Sequence, residues 1–160
     1  MKIITAANYY KTVGARDLCH GLKEGDCAAI AIVVKRMARY LTMLPPNSVL
    51  IPIPSHTGQA TATLSLSEQL AKLSGLPVAN IIKGRNREPL YTIKQNAQSI
   101  LPEFFGFFTT ATLTEKVPVL IDSVYDTGQT AHGAAKLFKN TSPFIFTFAR
   151  VKKIRQGQEN

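Results

Sequence analysis

Apolar positions along this chain fall into two alternating kinds of run. Between Asp26 and Leu41 they recur at Ile30, Val33, Val34, Met37, Tyr40 and Leu41, a spacing near 3.6 that predicts an amphipathic helix with Asp26 as its N-cap. Pro45-Pro46-Asn47 ends that helix, and residues 48–53 then read as a strand around the unbroken apolar run Val49-Leu50-Ile51, stiffened by Pro52 and Pro54. A second helix is expected from about residue 59 to 73, stopped by Gly75 and kept from continuing by Pro77. Strands are predicted at 78–82, 104–108, 117–121 and 144–148, with a helix over 129–139. Residues 83–98 are polar and basic with few apolar anchors, and read as a long loop.

Continuous apolar strands separated by amphipathic helices predict a doubly wound α/β domain with a mostly parallel sheet. At 160 residues the chain is expected to form one domain, with 1–47 as a helical N-terminal portion. In such sheets ligands sit beyond the carboxyl ends of the strands, near a switch point in the winding. The turns after Ile53 and after Ile121 both fall there, so they are expected to share one site.

Apolar residues make up 45% of the chain, enough for a packed core. The longest apolar stretch, 28–34, is ended by Lys35 and Arg36 and is too short to span a membrane. The opening Met1-Lys2-Ile3-Ile4-Thr5 lacks the apolar core of a signal peptide, so a cytoplasmic location is expected. Cys19 and Cys27, without a CxxC spacing, read as buried or idle thiols. The net charge of +9 suits a polyanionic ligand. Nucleic acid is the less favoured partner, because the charges are scattered except at Arg150, Lys152, Lys153 and Arg155, which read as a solvated tail.

The chemistry concentrates in Val119-Leu120-Ile121-Asp122-Ser123-Val124-Tyr125-Asp126-Thr127-Gly128-Gln129-Thr130. An apolar strand enters a turn that presents consecutive backbone N–H groups at a helix start, an arrangement that favours phosphate. Thr127 and Thr130 add hydroxyls, and Gly128 permits close approach of an anion. Asp122 and Asp126 cannot ligate phosphate, since like charges repel; they suit sugar hydroxyls, a proton or a cation. The turn Ser55-His56-Thr57-Gly58 repeats the strand–turn–helix grammar and could hold a second phosphate group.

The first of these segments resembles the 5-phosphoribosyl-1-pyrophosphate (PRPP) motif of the type I phosphoribosyltransferases: the apolar tetrad, the acid Asp122, Asp126 and the loop Thr127 to Thr130. It departs at Ser123, where the family usually carries a second acid. The stretch Pro52-Ile53-Pro54, Leu66 to Ala71, Arg85 with Gln95 and Asn96, Phe104 to Phe108 and Phe148-Ala149-Arg150 are similar to the competence-associated (ComF-type) branch. That branch's four-cysteine zinc module is absent, and Asp126 stands where it commonly has Thr.

The resemblance implies a phosphoribosyltransferase that uses PRPP with Mg²⁺ and a nitrogenous acceptor and releases pyrophosphate. Asp122 and Ser123 would face the ribose, with Asp122 near the metal. Asp126 would act beside the base, and Thr127, Gly128, Gln129 and Thr130 would hold the 5′-phosphate. Ser55, His56, Thr57 and Gly58 would form the pyrophosphate loop, and Lys83, Arg85, Arg87 and Lys94 a lid. The phenylalanines at 104, 105, 107 and 108 are expected in the core or at a homodimer surface. The alternative is a non-catalytic PRPP sensor, or a competence-type nucleic-acid-handling protein, on the same fold.

Overall fold

The computed structural model describes residues 1–93 and 102–151. Four strands, β1 (Lys2–Asn8), β2 (Ser48–Pro52), β5 (Val117–Tyr125) and β6 (Phe144–Arg150), form one sheet in the order β1-β6-β5-β2, every pair parallel. Helices α1 (Ala15–Glu24), α2 (Cys27–Ala38) and α3 (Ala62–Ser74) pack on one face; Val33, Met37, Leu66 and Leu70 meet Leu50, Val119, Ile121, Phe146 and Phe148 there. Helix α5 (Gln129–Ala135) covers the other face, setting Ala131 and Ala134 against Val49, Ile51, Leu120 and Ile145. The architecture is therefore a doubly wound α/β fold.

Strands buried on both faces need unbroken apolar sequence, and β2 is buried along its whole length. Asp26 caps α2 as its position predicts, its carboxylate accepting the Ala28 N–H at 2.8 Å and the Ala29 N–H at 3.4 Å. Gly75 ends α3 at φ 70°, in the left-handed region. Cys19 is buried and Cys27 exposed, and both are free thiols. No helix among the described residues is long and apolar enough to cross a membrane.

Several expectations need correction. The segment 1–47 opens with a strand, not a helix: β1 pairs with β6, Lys2 opposite Phe144 and Asn8 opposite Arg150. That pairing joins residues some 140 positions apart, which no local pattern reveals. The strand expected at 78–82 shrinks to a bridge between Val78 and Leu50, after which β3 (Ile82–Lys83) pairs antiparallel with β4 (Phe108–Thr109). Phe104 and Phe105 lie in a 3₁₀ turn (Pro102–Phe105), after which Gly106, at φ 56°, turns the chain toward β4. The loop expected at 83–98 contains a helical turn, α4 (Leu90–Ile93); Lys94, Gln95 and Asn96 lie outside the described residues. Helix α5 stops at Ala135 rather than 139. Arg150 belongs to β6 and not to a tail, while Lys152, Lys153 and Arg155 lie outside the described residues.

The cap on α2 provides a test of the fold. Asp26→Ala should lower stability by about 1 kcal/mol, read as a shifted urea midpoint with unchanged slope. An unchanged midpoint would show that α2 is held by its packed face alone.

Candidate functional site

The two candidate turns end up side by side because their strands are neighbours. Pro52 stands opposite Ile121, and the Ile53 N–H donates to the Ile121 carbonyl at 3.0 Å. From β2 the chain leaves through α3 on one face; from β5 it leaves through α5 on the other. The winding thus reverses between these two strands, the place where doubly wound sheets commonly bind ligands.

Strand β5 runs four residues beyond Ile121, so Asp122 and Ser123 are strand residues and the turn proper starts at Asp126. Asp122 keeps part of its surface open, yet burial of its carboxyl pushes the pKa up from 3.8 to about 6. The Ser123 N–H, 2.7 Å from Oδ1, the Val124 N–H and the Lys23 charge oppose that shift. Asp126 is half-buried at the head of the turn. Gly128 has φ 81°, and a methyl added there would collide with the Tyr125 hydroxyl. The N-cap residue of α5, Gly128, has no side chain to cap the helix, and the first helical N–H, that of Gln129, donates to Thr127 Oγ1 at 3.5 Å. Thr127 also donates to Gln129 Oε1 at 3.2 Å. Thr130 lies in the first turn of α5 and is half-buried.

In the partner turn, the Gly58 N–H returns to the Ser55 carbonyl at 3.1 Å, and the Ser55 and Thr57 hydroxyls lie 2.9 Å apart. Gly58, at φ 80°, rests directly on the Gly84 backbone, whose N–H donates to the Gly58 carbonyl at 3.1 Å. The Arg87 N–H donates to the His56 carbonyl at 2.9 Å. Turn 55–58 and segment 83–87 are therefore one braced unit, and the structure brings Arg85 and Arg87 to it.

Both arginines reach the aromatic segment, Arg85 from an exposed position and Arg87 from a half-buried one. Arg85 Nε donates to the Phe104 carbonyl at 3.0 Å, and the Arg87 guanidinium lies 4.8 Å from the centre of the Phe105 ring. Burial, with the neighbouring Arg85 charge, lowers the Arg87 pKa. Phe105 itself is fully buried and fits where Gly133 of α5 has no side chain, while Phe108 is exposed. Phe105 thus ties the arginine-bearing segment to the helix behind the other turn.

Sequence reasoning missed Tyr125 and His132. His132 Nδ1 lies 2.7 Å from the Gly128 carbonyl, and because that oxygen only accepts, Nδ1 carries the proton. The signal was available: His132 is four residues after Gly128, one helical turn on.

No family model matches the chain, and no curated protein sequence matches it. Among solved structures it is similar to a purine phosphoribosyltransferase from Pyrococcus horikoshii Ot3, at 14% identity over 84% of this chain and 95% of that one, with a TM-score of 0.42. A likeness that distant carries no chemistry with it; the functional reading rests on the loops themselves.

The buried carboxyl gives a pH test. The native carboxyl of Asp122 holds its proton to higher pH than an unfolded one, so native stability declines as pH rises from 3.8 to about 6. Asp122→Asn should therefore stabilise the protein at about pH 8 by about 1–3 kcal/mol and change little near about pH 4. Equal effects at both pH values, measured by urea unfolding, would show that the carboxyl is not desolvated.

Proposed function

We propose that this protein binds PRPP in the crevice between β2 and β5 and transfers its phosphoribosyl group to a nitrogenous acceptor. The observation that carries the reading is the juxtaposition of two glycine-hinged turns, Ser55–Gly58 and Asp126–Thr130, at adjacent strand ends where the winding reverses. A ligand with phosphate at one end, diphosphate at the other and a ribose between matches that layout. Backbone and hydroxyl groups of Thr127, Gly128, Gln129 and Thr130 would take the 5′-phosphate. Ser55, His56, Thr57 and Gly58, with Arg85 and Arg87 behind them, would take the diphosphate. Asp122 and Ser123 would face the ribose hydroxyls.

In the reaction a nitrogen lone pair forms a bond to ribose C1 as the bond from C1 to the diphosphate oxygen breaks. Donors already aimed at the leaving group stabilise its growing charge without reorganising. Asp126 would accept the proton that the acceptor nitrogen sheds.

The residues present do not fit a resident magnesium ion. Among the described residues no three His, Cys, Asp or Glu side chains gather into a metal site, and the Asp122 carboxyl is desolvated. Magnesium, which the resemblance implies, is then a companion of the diphosphate rather than a protein-held cofactor.

A PRPP sensor is the second reading, and Ser123 favours it. With no charge at 123, the ribose end offers a metal-loaded substrate one carboxylate, Asp122, where the resemblance implies two acids.

PRPP or a nucleoside 5′-monophosphate should raise the melting temperature, and ribose should not. Equal shifts, or none, would remove the cradle. With PRPP and a panel of nitrogenous bases, pyrophosphate release should be detectable. Asp126→Asn should reduce it by about a hundredfold while PRPP binding survives. PRPP binding without release from any base would establish the sensor.

A further inference from the structure

A cavity of about 420 Å³ lies at the opposite end of the sheet from the two turns. Asn47 stands just before β2 and Val117 begins β5, so the amino ends of these strands contribute to its lining. One wall is the segment 109–117 that leads into β5, and the other is the stretch 137–141 that follows α5. The volume falls within the range of small-molecule sites. Half-buried Leu113, Leu137 and Phe138 pack against the core beneath and give the cavity an apolar base.

Both walls are held by backbone bonds. The Val117 N–H donates to the Asn47 carbonyl at 3.1 Å, and Asn47 Nδ2 donates to the Glu115 carbonyl at 3.4 Å. Glu115, at φ 58°, is the one residue other than glycine with a positive φ among the described residues. Backbone held in that region persists where its surroundings fix it, and it gathers at ligand-binding segments. On the other wall the Phe138 N–H donates to the Ala135 carbonyl at 3.1 Å, and the Thr141 N–H to the Phe138 carbonyl at 3.3 Å.

Each wall carries one lysine, Lys116 on the first and Lys139 on the second, and both are exposed. Among the described residues neither has a carboxylate within ion-pair distance, although Glu115 lines the same cavity. Two like charges around one cavity favour an anion between them, and a lysine ammonium is a compact charge suited to phosphate. The apolar base adds a second requirement. A bare inorganic anion would leave Leu113, Leu137 and Phe138 uncovered, whereas an attached ring would gain by burying them.

We propose that this cavity is a binding site for a phosphate monoester carrying a flat ring system, with the phosphate between Lys116 and Lys139 and the ring on Leu113, Leu137 and Phe138. The site shares no residue with the two turns, so the proposal stands apart from the reading of the crevice between β2 and β5.

Two-dimensional nitrogen–proton spectra of the full chain, titrated with naphthyl phosphate, inorganic phosphate or naphthol, test it. Naphthyl phosphate should move the amides of Leu113, Lys116 and Val117 together with those of Leu137 to Thr141. It should saturate them at about tenfold lower concentration than either half alone. Lys116→Gln and Lys139→Gln should each raise that midpoint by about threefold. Leu113→Ala should weaken naphthyl phosphate and leave inorganic phosphate unchanged. Naphthol acting as readily as naphthyl phosphate would overturn the proposal, by showing an apolar patch indifferent to charge. No movement of these amides, or movement confined to the turns 55–58 and 126–130, would overturn it as well. A midpoint unchanged in both lysine variants would do the same. Both lysines are exposed, so replacing them removes no packing. Should Leu113→Ala fail to fold, the lysine variants decide: raised midpoints support the site, and midpoints equal to the parent's overturn it.

Discussion

Parallel pairing of β2 with β5 sets where each turn of the candidate site can stand. Two strands bonded in register from Ser48–Val117 to Pro52–Ile121 must end together, and whatever follows them must share one crevice. The apolar residues that make the pairing possible, Val49 to Ile51 and Val119 to Ile121, are almost wholly buried. Their burial is the main favourable term at the centre of the sheet, at about 1.5–3 kcal/mol for each large side chain. Function thus depends on a core that carries no chemistry. The two loops inherit their separation from the spacing of neighbouring strands.

A second constraint holds the loops in shape. Gly58 lies on Gly84, and Gly128 lies under the Tyr125 hydroxyl, each at a positive φ that side chains rarely adopt. Phe105 then bridges the two halves, packed against Gly133 on one side and under Arg87 on the other. Around the braced turns lies a desolvated carboxyl, Asp122, that lowers stability at neutral pH. That cost comes from desolvation, which the Ser123 and Val124 N–H groups and the Lys23 charge offset only in part.

Much of this was legible in the sequence, for reasons that differ by element. The strand β2, helix α2 with its Asp26 cap and the Asp126–Thr130 turn could be read because each is specified by residues within one short window. The failures share one cause, which is that tertiary partners decide. β1 is a strand because β6 lies beside it, and the Lys2–Phe144 pairing has no local signature. Val78 forms only a bridge, since the chain bends away from Leu50 to build the β3–β4 ribbon. Arg150 looked like part of a basic tail, although its backbone is bonded to both Tyr9 and, through Val151, Tyr125. Arg85 and Arg87 lie beside the Ser55–Gly58 turn and are held there by Phe104 and Phe105, a contact that no spacing rule supplies.

The central claim is that two turns form one cradle with distinct ends. Amide chemical shifts from two-dimensional nitrogen–proton spectra, followed during titration, address it residue by residue. Ribose 5-phosphate should move the amides of Thr127 to Thr130, pyrophosphate those of Ser55 to Gly58, and PRPP both sets at a single saturation point. Shifts confined to one turn for all three ligands, or two saturation points with PRPP, would contradict the account.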